Sequence, residues 1–153
     1  MSQISNDEEF RKTLHGLDAI QKRVVAALFV EHVLPLSNDE RLARVVKVAT
    51  DSNDSQDELA SALKSAKAAT QDSHTRCGSE GNWTDQAGYF VARAAVAAVT
   101  PQAQTKSGSP AWQAAMSSRM AQTSILIDDV SQEVSTHSEN EWQYEILSNF
   151  LKS

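Results

Sequence analysis

The chain has 153 residues, with 20 Asp plus Glu against 14 Lys plus Arg and a formal net charge of −6. That length suits a single helical domain over residues 1–153, because two cores of half this size would each bury too little apolar surface. An acidic balance disfavours nucleic acid or an anionic membrane as partner, since phosphates attract clustered Lys and Arg, and no apolar run reaches the roughly 18 residues of a membrane span.

Apolar residues make up 41% of the chain but aromatics only 6%, and much of the apolar share is alanine, so the expected core is built from small side chains. The segment from Met1 to Glu9 is polar and acidic, unlike a signal peptide. Cys77 is the single cysteine and has no partner for an internal disulfide, which fits a reducing cytoplasm.

Helix signals recur along the chain. Ser5–Glu8, Ser37–Glu40, Ser55–Glu58 and Ser138–Glu141 each have the spacing of a capping box. There a serine hydroxyl accepts from an orphan first-turn amide, and the glutamate reaches back to the cap amide. Ser109-Pro110 adds a cap followed by proline at the first helical position.

In chain order, the first helix is expected from Asn6 to His15 with Phe10 and Leu14 on one face. The second, Leu17 to Leu34, carries a stripe of Leu17, Ile20, Val24, Leu28, Phe29 and Val33, and Pro35 ends it. The third runs from Asn38 to Thr50 with Leu42, Val45, Val46 and Ala49 inward. The fourth spans Gln56 to Ala69.

Periodicity fails from Thr70 to Trp83, where Gly78, Gly81 and Asn82 predict the longest central loop. Thr84 is placed to cap a fifth helix to Val99, whose small residues predict a central position. A sixth is expected from Pro110 to Val130 with Trp112, Ala115, Met116, Met120, Thr123 and Ile127 in register. A seventh runs from Glu139 to Leu151 with Trp142, Ile146, Leu147 and Phe150. The expected fold class is all-α, a bundle or short α-solenoid of six to seven helices.

Catalytic signatures are scarce. There is no His-Glu-x-x-His, no paired Cys-x-x-Cys, no nucleophile elbow and no phosphate-cradling glycine loop. The sharpest constellation is His74 with Cys77, three residues apart, which Glu80 and Asp85 complete to four zinc-type ligands on paper. Cys77 with His74 as base is the corresponding thiol reading. A small metal- or thiol-dependent enzyme using residues 70–85 is therefore the alternative, set against a solvated polar loop. The leading expectation is no enzyme and no cofactor.

Charge carries more information. Between Met120 and Ser153 lie Asp128, Asp129, Glu133, Glu139, Glu141 and Glu145, opposed only by Lys152. An acidic helical face of this kind steers a basic partner, although Glu139 and Glu141 also sit where helix starts favour acids. Trp112, Trp142 and Tyr144 lie in the same third of the chain, as interface anchors if exposed and as core otherwise. The expected contacts with a protein partner are Asp128, Asp129, Glu133, Glu141, Tyr144 and Glu145. Self-association through a structural helical surface is the third reading.

The run Phe29-Val30-Glu31-His32-Val33-Leu34-Pro35-Leu36, followed by Asp39-Glu40-Arg41, resembles the opening of a family of alanine-rich helical immunity proteins of bacteria. That family carries Cys-Ala-Glu-x-Val-Leu-Pro and then an Asp-x-Arg-Pro-Arg helix. Ala92-Arg93-Ala94-Ala95-Val96-Ala97-Ala98 stands where the family has an Ala-Arg-Ala-Ala run, and Glu141 to Leu147 is similar to the closing helix of related alanine-rich proteins. The likeness covers about residues 25–100. It departs at Arg41-Leu42-Ala43-Arg44 in place of Arg-Pro-Arg, in the tryptophan missing after that helix, and in the histidine missing between Ala94 and Ala98. The resemblance implies a helical protein that binds and neutralises a co-encoded toxin by occlusion, with no catalytic residue to transfer.

Overall fold

The computed structural model describes residues 4, 6–37, 39–51, 56–80, 83–100, 110–128 and 137–152. Side chains are described for these except 56, 74–80, 83–85, 110, 124–128, 137–140 and 152. Among the described residues there are seven α-helices and no strand: α1 (Asp7–His15), α2 (Ala19–Val33), α3 (Glu40–Thr50), α4 (Gln56–Glu80), α5 (Trp83–Val99), α6 (Pro110–Asp128) and α7 (His137–Lys152). They form an all-α bundle. Among the described residues, no helix is long and apolar enough to cross a membrane.

The helix starts are set by carboxylate and amide side chains more than by the serines. Asn6 caps α1, its Oδ1 accepting from the Glu9 amide at 2.9 Å while its Nδ2 donates to Glu9 Oε1. The expected cap Ser5 lies outside the described residues. At α2, Asp18 and Gln21 close a reciprocal capping box of 2.8 and 3.0 Å, so the helix begins at Ala19 and not at Leu17. At α3, Asp39 is the cap and Ser37 is displaced outward, its hydroxyl accepting from the Asp39 amide. An ionised carboxylate accepts an amide hydrogen bond more strongly than a neutral hydroxyl does, which is the physical reason that Asp39 and not Ser37 caps α3. Helix α5 starts at Trp83 and α7 at His137, so Thr84 and Ser138 lie inside their helices. Ser55 and Ser109 lie outside the described residues.

Helix α5 is the central element, packed by α2, α3, α4 and α6. Its fully or nearly buried residues are Ala87, Val91, Ala92, Ala94, Ala95, Ala97, Ala98 and Val99. Small side chains let several helix axes approach at the short end of the usual range, about 8 Å. Larger residues fill the corners: Phe10 and Leu14 from α1, Phe29 and Val30 from α2, Leu42 and Val45 from α3, and Leu147 from α7 are all buried. Arg23 of α2 tethers the end of α3, donating from Nε to the Ala49 carbonyl and from Nη2 to the Asp51 carbonyl. That satisfies acceptors the helix terminus leaves without amide partners and places a cation at its negative end.

The predicted loop from Thr70 to Trp83 is a correction. Helix α4 continues through this stretch to Glu80, with Gly78 inside it. Its inward positions are small or polar, Ala66, Ala69 and Ser73, all buried, so the apolar stripe that announces a helix is absent. Three residues of the predicted apolar stripes face solvent: Ile20 is 50%, Met120 47% and Trp142 49% exposed.

Candidate functional site

The expected metal or thiol constellation falls on helix. His74, Cys77 and Glu80 lie in the last turns of α4 and Asp85 in the first turn of α5, and their side chains lie outside the described residues. Among the described residues, no group of three His, Cys, Asp or Glu side chains is arranged to hold a metal ion.

Of the six expected partner contacts, Asp129 and Glu133 lie outside the described residues, and Asp128 ends α6 with its side chain outside them. Glu141 and Glu145 are exposed on α7. One turn apart, they share a helical face, and a step of about 100° per residue brings Trp142 and Asn149 within the same arc. Both of these are exposed, while Gln143 and Leu147 are buried on the opposite side. Trp142 remains 49% exposed although its ring packs against His32 of α2 at a centroid distance of 4.8 Å, the two planes tilted by 37°. The contact covers part of the indole and leaves the rest to solvent.

Tyr144 behaves differently. It is half-buried and its hydroxyl donates to Asp7 Oδ1 at 2.7 Å. The same Asp7 carboxylate receives both terminal nitrogens of Arg119 at 2.8 and 3.0 Å, while Arg119 Nε donates to Gln143 Oε1 at 2.8 Å. Gln143, fully buried, then donates from Nε2 to the Ala115 carbonyl. This network ties the start of α1 to α6 and α7. The Arg119 guanidinium holds the Asp7 carboxyl below its ordinary value of 3.8. Burial, reinforced by the hydrogen bond to the Asp7 carboxylate, pushes the Tyr144 phenol up to about 12. Phe10 lies at the centre, its ring 5.3 Å from Tyr144, 5.6 Å from Phe29 and 6.1 Å from Trp112, with the Arg119 guanidinium 5.5 Å above it.

On the other side of Trp112 lies a cleft of about 820 Å³ formed by α1, α4, α5 and α6. Its lining repeats at helical spacing: Lys67, Thr70 and Gln71 on α4; Tyr89, Arg93, Val96 and Ala97 on α5, with Thr100 just past its end; Trp112, Gln113, Met116 and Ser117 on α6. Arg11 of α1 completes it. Among the described residues, three cations and no carboxylate line the cleft. Arg11 lies 5.2 Å from the centroid of the Trp112 ring and Arg93 5.7 Å from that of Tyr89. Sequence reasoning missed this site because its members come from four helices spread over more than a hundred positions. The available signal was the placement of Tyr89, Arg93 and Thr100 near one face of α5 and its end, polar positions in an otherwise alanine- and valine-rich stretch.

Comparison with known protein families, with curated proteins and with solved structures finds no match to this chain.

Proposed function

We propose that the protein is a non-enzymatic binding protein that masks a basic surface of a protein partner with the outer face of α7, in the manner of an antitoxin-like immunity protein. The observation that carries this reading is Trp142, a large aromatic held against His32 yet 49% exposed, with Glu141 and Glu145 beside it. A preorganised aromatic anchor loses little conformational freedom on binding, and flanking carboxylates steer a basic partner into register. Asp128, Asp129 and Glu133 extend the acidic character of this third of the chain. The resemblance of residues 25–100 to bacterial immunity proteins points to the same class of function and to a co-encoded toxin as the partner.

Co-expression with the product of the neighbouring gene tests the proposal. The expected result is a stable complex that abolishes the neighbour's toxicity, and its loss with Trp142→Ala combined with Glu145→Lys. A harmless neighbour that forms no complex, or a complex indifferent to both substitutions, would overturn it. An enzyme of the central segment is the competing reading; one zinc or iron per chain in protein purified without chelator would favour it.

A further inference from the structure

The cleft between α1, α4, α5 and α6 is a separate surface from the α7 face: among the described residues, none of its lining belongs to α7. We infer that it is a binding site for a small organic anion: a flat or apolar body bearing a phosphate, sulfonate or carboxylate group. The first argument is charge. In a chain whose formal net charge is −6, the lining of this cleft holds Arg11, Lys67 and Arg93 and, among the described residues, no acid.

The second argument is where the neighbouring acids have gone. Asp7, one turn before Arg11, is turned toward Arg119 and Tyr144. Asp72, beside Gln71 of the lining, is paired with Arg41 of α3 at 2.8 Å. Among the described residues, Arg11, Lys67 and Arg93 make no ion pair; the two arginines lie over rings instead. A cation already resting on an aromatic face keeps its outer N–H groups for an incoming anion, and charge-assisted bonds are the strong ones.

The third argument is shape and surface. About 820 Å³ lies within the usual size range of small-molecule sites, roughly 300–1,000 Å³. Tyr89 and Trp112 offer ring surfaces, while Val96, Ala97 and Met116 offer an apolar lining. The hydroxyls of Thr70 and Thr100 donate to the carbonyls of Ala66 and Val96 in their own helices, so those two protons are already committed. Recognition of negative charge therefore falls mainly to the three cations, and recognition of the ligand body to the rings.

Calorimetric titration with 1-naphthyl phosphate tests the inference, with inorganic phosphate and neutral 1-naphthol as the two halves of the probe. Saturable one-to-one binding with Kd below about 1 mM is expected, and each half alone should bind at least about tenfold more weakly. Lys67→Gln with Arg93→Gln should weaken naphthyl phosphate at least about tenfold at an unchanged melting temperature, whereas Arg44→Gln with Lys47→Gln, exposed bases of α3 outside the cleft, should leave it unaltered. Absence of saturable binding overturns the inference, as does equal affinity for naphthol or equal loss in the α3 pair. Binding of a poly-glutamate peptide at the cleft without naphthyl phosphate binding would replace it with a protein-segment site.

Discussion

In the cleft, three cations stand among rings with no carboxylate among the described residues of the lining. Along the outer face of α7, Glu141 and Glu145 stand beside an exposed Trp142. Elsewhere opposite charges meet and are consumed in structure, as where Arg41 spans Asp39 and Asp72, or Arg119 grips Asp7. Charge left segregated on a folded surface steers and selects partners, whereas charge paired on that surface mostly fixes local geometry. The two unpaired regions differ in sign and so ask for different partners. They are joined through one aromatic cluster, with Phe10 touching Trp112 on the cleft side and Tyr144 on the α7 side.

The largest expected effect breaks both regions together. Phe10→Ala removes a fully buried ring and should cost about 3–5 kcal/mol in chemical denaturation, as other large-to-small core changes do. Trp112 and Tyr144 would lose their common support. Arg119→Met comes next, because it removes the donor to the buried Gln143 Oε1 and leaves the Asp7 carboxylate with the Tyr144 hydroxyl but no cation; a loss of about 2 kcal/mol is expected.

The pH dependence sharpens the contrast between the network and the two open surfaces. Asp7 is held below its ordinary value of 3.8, so its contribution is present above that value and is lost as pH falls through the lowered one. Tyr144 is raised from 10.0 to about 12. Its contribution is therefore intact below pH 10.0 and is lost as pH rises toward about 12. Urea midpoints of Asp7→Asn and Tyr144→Phe against the parent should converge with it at the acid and alkaline ends respectively. Parallel curves throughout would detach these two groups from stability. The smallest effect belongs to the surface: Glu141→Lys with Glu145→Lys should change stability by no more than about 0.5 kcal/mol.

How far the sequence speaks depends on which signal a residue carries. The all-α class and the central place of α5 were legible, because apolar and small residues recur at helical spacing from Ala87 to Ala98 and bury as expected. The extension of α4 was not. Ser73 is buried without being apolar, and Gly78 reads as a breaker by propensity although α4 continues through it to Glu80. Cap identity was ambiguous for a similar reason: Asn6 and Asp39 compete with nearby serines, and only geometry decides between them. Glu141 and Glu145 were legible as an acidic face, since they share one helix. The inward turn of Tyr144 was not, because its partner Asp7 lies 137 positions away. The cleft was invisible for the same reason.

The most direct test of the account is the association rate with the proposed partner, the product of the neighbouring gene, measured against salt concentration. The parent protein should associate fast at low salt and slow steeply as salt screens the carboxylates. Glu141→Lys with Glu145→Lys should start slower and show a flatter dependence, while Lys67→Gln with Arg93→Gln should follow the parent. Identical rates and slopes for the parent and the α7 variant would contradict the assignment of that face as the partner surface.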